Sequence, residues 1–195
     1  MREIQTGRLL LRQWRDPDRK PFAVMGADPA VMRYFPRLLD EGQSAALAAR
    51  IRSRIDSDGW GLWAVEVVDP GSPLLGRFIG FAGLAPVHPN LPFSPALEVG
   101  WRLSPAAWGN GYATEAAGAA LGVAFGELRV DEVVSMTSAL NSPSRAVMKR
   151  LGMTRDPVDD FAHPSVAEGD ELREHVLYRL RRPGGSRRGA AVPRS

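Results

Sequence analysis

Between Trp101 and Ala116 the chain reads WRLSPAAWGNGYATEA, a stretch whose residue types could bind an anion without any charged side chain. Gly109 and Gly111 precede Tyr112 to Phe125, which is rich in Ala, Leu and Val and carries Glu115 in its first turn, so it reads as a helix with an acid at the favoured end. The first amides of such a helix lack intrahelical partners and the peptide dipoles add positive potential there, so a phosphate is stabilised by backbone alone. The two glycines let the main chain approach it closely. Upstream, Ala96 to Leu103 alternates with Val99, Trp101 and Leu103 on one face, as a half-buried strand does. A Walker loop is excluded, because no Gly-Lys-Ser/Thr supplies the lysine and the magnesium-binding hydroxyl. A dinucleotide fingerprint fits poorly: Thr114 stands where a third glycine belongs, and Ser104 to Trp108 make the connection long. A helix start whose glycines only shape the turn is the plain alternative.

A second segment, Val133 to Met153, reads VVSMTSALNSPSRAVMKRLGM. Val133 to Thr137 is a short apolar strand, Asn141 or Ser142 with Pro143 caps a helix, and Gly152 ends it. Ala146, Val147, Leu151 and the stem of Arg150 form its apolar stripe. Together the two segments resemble the GNAT superfamily of acyltransferases that use acetyl-CoA, in its RimJ/RimL-like branch. The family's phosphate loop follows Arg/Gln-x-x-Gly-x-Gly/Ala. Trp108 to Ala113 fills it with Gly111 and Ala113 in place, and Trp108 stands at the first position, a departure the branch shares. The family's Asn-x-x-Ser followed by Leu-Gly-aromatic is matched by Asn141, Ser144, Leu151 and Gly152, with Met153 in place of the aromatic.

The resemblance covers nearly the whole chain. Thr6 to Trp14 resembles the family's first strand and Asp28 to Phe35 its early helix. Gln43 to Asp56 has helical spacing at Leu47, Ile51 and Ile55, and Trp60 to Val68 and Phe78 to Leu84 are strands separated by a turn over Asp69 to Gly76. His175 to Leu180 is a last strand. The order is strand, two helices, three strands, helix, strand, helix and two strands. It predicts an α/β fold with a twisted mixed sheet of about seven strands, helices on both faces, and a right-handed parallel crossover between the Glu98 and Val133 strands. The resemblance implies that these two strands splay apart and admit the pantetheine arm.

Composition bounds the answer. A 195-residue chain with 44% hydrophobic residues builds one substantial core, expected over residues 1–181. The formal charge of +3 is concentrated at the end: Arg181, Arg182, Arg187, Arg188 and Arg194 leave residues 1–180 at about −2. Residues 182–195 therefore read as a basic disordered tail, solvated rather than built for nucleic acid. No apolar run is long enough for a membrane span and the charged opening lacks a signal-peptide core, so a cytoplasmic location is expected. With no Cys, and His88, His163 and His175 scattered, neither a thiolate nucleophile nor a metal site is expected. Oligomeric state is open, a homodimer included.

By resemblance, the function is N-acetyltransfer from acetyl-CoA to a primary amine by direct attack, the acceptor being a protein N-terminus or a small amine. A non-catalytic acyl-CoA sensor is the alternative. A protonated amine cannot attack, so a base is needed, and Glu98 occupies the position where many relatives carry a catalytic or water-linked glutamate. Its other reading is a strand carboxylate paired with Arg102 or Arg77. His163 and His175 are fallback bases or pocket residues. The resemblance further implies that Trp101, Arg102 and Leu103 contact pantetheine through backbone, with an amide freed by a bulge polarising the carbonyl. Trp108, Gly109, Asn110, Gly111, Tyr112, Ala113 and Thr114 would hold the pyrophosphate, and Asn141 the pantetheine amides. Many superfamily members protonate the leaving thiolate with a tyrosine where this chain has Met148, so the role passes to Ser144, whose other reading is a helix cap. Asp159, Asp160, Glu168, Asp170 and Glu171 could draw a cationic acceptor or only keep a loop soluble.

Overall fold

Apolar runs bounded by Gly, Pro and Asp become strands here, and the capped periodic segments become helices. A computed structural model describes residues 3–184. Its strands are β1 (Ile4–Gln5), β2 (Leu9–Arg12), β3 (Leu62–Val67), β4 (Phe78–Pro86), β5 (Leu97–Leu103), β6 (Glu132–Ser138), β7 (Thr154–Arg155), β8 (Phe161–Ala162) and β9 (Glu174–Arg181). The α-helices are α1 (Arg19–Ala27), α2 (Pro29–Met32), α3 (Glu41–Asp58), α4 (Tyr112–Gly126) and α5 (Ser142–Arg150). One sheet runs β1-β2-β3-β4-β5-β6-β9-β7, with β8 also on β9. All pairings are antiparallel except β5 with β6, the parallel crossover through α4.

The expected mixed α/β sheet with helices on both faces is present, with nine strands among the described residues rather than seven. The short strands β7 and β8, two-residue pieces too short to carry periodicity, flank the last strand where one extra strand was expected. The other addition comes from the first expected strand, which breaks into the hairpin β1–β2 because Thr6 turns back, its amide donating to the Leu9 carbonyl at 2.9 Å. Helix α1 was not legible: its sequence RKPFAVMGA holds a proline and a glycine. Pro21 costs little in the first turn, where no intrahelical N–H is needed, and burial of Phe22 and Met25 holds the helix. The helix expected over Asp28 to Phe35 shrinks to α2, capped by Asp28 accepting from the Ala30 amide at 2.8 Å. Helix α3 extends the expected one by two residues at each end, because Asp40 and Gln43 form a reciprocal cap and Gly59 takes the left-handed conformation.

The core gathers on the central strands. Phe22, Trp14, Phe78 and Phe81 form an aromatic cluster, with Trp14 and Phe22 edge to face at 4.9 Å. Ala116, Ala117, Ala120 and Ala124 on α4 are buried, small residues that let the helix lie close to β4 and β5. Gly80 brings β4 tight against β5, since a Cβ there would sit 2.1 Å from the Arg102 carbonyl oxygen. Of the tail expected from residue 182, Arg182 is tied down, its amide and guanidinium donating to the Asp131 carbonyl and carboxylate at 2.9 and 2.7 Å. Residues 185–195 lie outside the described residues. No helix among those described is long and apolar enough to cross a membrane.

Candidate active site

The central opening begins at one register position. β5 and β6 pair only at Glu98 and Val134, then run on without further partners, so the two parallel strands part beyond that point. The opposite edge of β5 keeps an unbroken register with β4 from Leu97–Pro86 to Leu103–Gly80. The expected bulge on β5 is therefore absent; the sheet's irregularity lies between Val65 and Glu66 on β3. Divergence frees backbone instead. Val87 donates to the Ala96 carbonyl and Ser104 to the Ile79 carbonyl, so the antiparallel alternation turns the backbone of Ala96, Glu98, Gly100 and Arg102 toward β4 and that of Trp101 and Leu103 toward the gap. Arg102, expected to offer its backbone alongside them, gives that backbone to β4.

The gap leads to the loop before α4. Gly109 and Gly111 adopt φ of 78° and 77°, left-handed values that favour glycine, and Gly111 is the N-cap with no side chain capping it. The amides of Tyr112, Ala113 and Thr114 thus start α4 without intrahelical acceptors. Among the described residues, the Thr114 hydroxyl beside them is buried without a hydrogen-bond partner. The loop is braced from three sides. The Trp108 indole donates to the Leu103 carbonyl at 2.9 Å, the Asn110 carboxamide donates to the Ala107 and Trp108 carbonyls, and Arg8 donates to the Asn110 carbonyl at 2.9 Å. Arg8 is itself clamped by Glu115 through its backbone amide at 2.9 Å and its guanidinium at 2.7 Å, with Thr6 donating to the same carboxylate at 2.6 Å. Burial raises the Glu115 pKa, but the bonds from Thr6 and Arg8 outweigh it and the net shift is downward. Tyr112 points its side chain away, its hydroxyl bonded to Ser72 and its ring under Arg8.

On the far side of the cleft, Asn141 caps α5, its carboxamide oxygen accepting from the Ser144 amide at 3.1 Å while its NH2 donates to Thr137 at 2.9 Å. Both ends of the carboxamide expected to meet pantetheine are engaged within the protein. Ser144 is released from capping, and among the described residues its hydroxyl makes no hydrogen bond; it lines the cleft with Met148, which is buried. Met148, not the exposed Arg150 stem, completes the buried stripe of α5 beside Val147.

Glu98 stands where β5 and β6 part. It has neither Arg102 nor Arg77 as partner: among the described residues its carboxylate makes no hydrogen bond or ion pair, and burial pushes its pKa up to about 7. The two histidines that looked scattered converge on the cleft, with ring centroids 4.7 Å apart. The Ser165 amide donates to Nδ1 of His163, and Nδ1 of His175 faces the Arg173 carbonyl at 3.1 Å, so it carries the proton. Burial lowers both pKa values, which keeps these rings neutral near pH 7. Three of the late-loop acids are used elsewhere: Asp159 pairs with Arg179, Asp160 with Arg155, and Asp170 accepts from the Leu172 amide, while Glu168 and Glu171 are exposed. No group of three or more His, Asp or Glu among the described residues could hold a metal ion.

The cleft holds about 1350 Å³, above the roughly 300–1,000 Å³ of ordinary small-molecule sites. It can take two molecules end to end. Unpaired helix amides, the orphaned Thr114 hydroxyl and the free Trp101 backbone fit a long ligand with a phosphate at one end and amides along its length. Comparison with known proteins decides the family, since the model of the acetyltransferase (GNAT) domain matches residues 8–154. The chain belongs to the GNAT acetyltransferases. As such it is an N-acetyltransferase, and the family's acetyl donor is acetyl-CoA. It is 30% identical over 200 residues to the FsC-acetyl coenzyme A-N(2)-transacetylase of Aspergillus fumigatus, covering 94% of this chain and 81% of that one. An acetyltransferase structure from Agrobacterium tumefaciens is 27% identical with a TM-score of 0.73, covering 93% of this chain and 95% of that one. RimL, the ribosomal L7/L12 α-N-protein acetyltransferase solved with coenzyme A, shares the fold at a TM-score of 0.70 and 13% identity, covering 93% and 98%.

Proposed function

We propose that this GNAT acetyltransferase carries acetyl from acetyl-CoA to an α-amine by direct attack, with no covalent enzyme intermediate. The observation that carries the reading is Glu98, an unpaired carboxyl with a pKa of about 7 at the point where β5 and β6 part. An α-ammonium titrates near 8 and a lysine near 10.4. A base near 7 is closely matched to the first and weak by more than three units for the second.

The remaining groups fall into place around that proton transfer. Amides of Tyr112, Ala113 and Thr114, with Gly109, Gly111 and the braced loop from Trp108, receive the pyrophosphate. Trp101 and Leu103 hold the pantetheine amides, and an N–H turned to the gap stabilises charge developing on the carbonyl oxygen. Ser144 donates to the departing sulfur, which needs only modest help because a thiol titrates near 8.5. Asn141 serves by holding Ser144 in place. His163 and His175 shape the acceptor end as neutral rings. The test is thiol release from acetyl-CoA over N-terminal peptides, amino acids, polyamines and aminoglycosides. Turnover of α-amines ahead of lysine-type and polyamine amines supports this reading, and release with none of them would refute it.

A further inference from the structure

Among the described residues, Arg102 is a cation with no acid to pair with. Its guanidinium stacks over Phe35 at 4.2 Å and lies 5.5 Å from the Phe81 ring, and its Nε and Nη1 are enclosed without hydrogen-bond partners. Burial alone lowers its pKa to about 10, the sign of a charge taken partly out of water with no counter-charge supplied. Strand alternation fixes where it points. Glu98, Gly100 and Arg102 leave β5 on one face, whereas Trp101 and Leu103 leave on the other. The Arg102 face is that of Phe81, which meets Phe22 of α1, so the guanidinium stands across the strand from the side chains that flank the coenzyme's path. Between base and cation sits Gly100, where an added Cβ would meet only the Glu98 carboxylate, at 3.8 Å. The glycine leaves a slot along a span of about 13 Å between the Cα atoms of residues 98 and 102.

The cleft as a whole carries the same sign. Among the described residues four cations line it, Arg8, Arg33, Arg102 and Arg150, against two acids, Glu98 and Glu115, and Glu115 is spent on Arg8. A polycation is a poor match for such walls. We propose that Arg102 recognises a carboxylate on the acceptor, so that the substrate is a primary amine also bearing a carboxylate, its amine at Glu98 and its acid at the Arg102 guanidinium. This assignment rests on the acetyl-transfer reading above and narrows it. The carboxylate can belong to a free amino acid or to an acidic side chain near a peptide N-terminus; guanidinium–carboxylate pairing is common to both.

The test uses matched acceptors and coenzyme A-loaded protein: α-amino acids against their carboxamides, and peptides with Asp or Glu against Asn or Gln at the second position. Binding is read by calorimetry and turnover by thiol release. One of the two carboxylate series is expected to bind at least tenfold tighter than its neutral partners, and which series does so identifies the source. Arg102→Gln brings that ratio to within twofold, and Arg102→Lys keeps part of it, with melting curves checking that both variants fold. No preference for carboxylates in wild-type protein, or a preference that survives Arg102→Gln, overturns the assignment. Neutral amines turned over without preference leave acetyl transfer standing while the assignment falls. Carboxylate-dependent binding with no thiol release from any amine does the reverse.

Discussion

Glu98 carries two consequences of one cause. Burial penalises its ionised form, so the proposed base becomes charged, and able to accept a proton, only as pH rises through about 7. The rate kcat/KM is therefore expected to climb about tenfold per pH unit below 7 and then level. In Glu98→Gln that limb disappears and kcat drops on the order of 10²–10⁴-fold, with little change in acetyl-CoA affinity. An unaltered pH profile in the variant removes Glu98 as the base. The stability consequence has the opposite sign from an ion-paired acid. A folded pKa above the unfolded value leaves both states protonated at pH 4, while above pH 7 both are ionised and only the folded state bears the desolvation cost. Glu98→Gln is thus expected to stabilise the protein at pH 8 by about 1–3 kcal/mol, allowing for solvent in the cleft, and to do little at pH 4. Resemblance could point to Glu98 from sequence, but its isolation was not legible. That isolation depends on Arg102 stacking over Phe35, an arrangement between residues far apart in the chain that no spacing encodes.

At the scale of elements, the glycine turns and helix start of the proposed anion site were readable because they are set mostly by backbone. Glycines before a helical run specify left-handed turns and free amides almost independently of what surrounds them. What could not be read was the brace, because Arg8 reaches Glu115 and Asn110 from more than a hundred residues away. Two substitutions separate the parts. Gly111→Asp places a carboxylate beside the proposed pyrophosphate and forces a side chain onto φ of 77°, so acetyl-CoA affinity should fall at least a hundredfold by calorimetry. Unchanged affinity would put the phosphates elsewhere. Glu115→Gln keeps the shape and an acceptor oxygen for Thr6 and the Arg8 amide but removes the charge that fixes the Arg8 guanidinium. Acetyl-CoA should then bind several-fold more weakly with kcat nearly unchanged, since the brace acts on binding rather than on the reacting atoms. The wild-type contribution of this carboxylate is present above the ordinary glutamate pKa and lost as pH falls through its lowered folded value.

For the whole molecule, an open cleft in the middle of a sheet is a mechanical problem, because β5 and β6 contribute one paired position where neighbouring strands contribute many. The β1–β5 half must be rigid on its own account, and much of its side-chain polarity is spent on that. Arg12 is buried on β2, donating from both terminal nitrogens to Asp18 at 2.7 and 2.9 Å and from Nε to Glu66 of β3 at 2.7 Å. Asp18 also accepts from the Arg15 amide at 2.7 Å, so the triad fixes the entry to α1 and, through α1 and α2, the bend after Met32 that carries Phe35 over Arg102. Burial disfavours the Arg12 charge, yet the bonds and fields of Asp18 and Glu66 outweigh it and the net pKa shift is upward. Well-paired buried ions contribute little net stability, but removing one partner leaves the others desolvated and uncompensated. Arg12→Met strips both carboxylates at once and is expected to cost about 3–5 kcal/mol. Urea denaturation checks it: the midpoint should fall with the slope nearly unchanged, because the same surface is exposed on unfolding. Under native conditions the variant should still bind acetyl-CoA, whose proposed contacts lie on β5 and α4. A loss below about 1 kcal/mol would mean that Asp18 and Glu66 find other partners, and that the aromatic cluster of Trp14, Phe22 and Phe81, rather than the triad, holds α1 to the sheet.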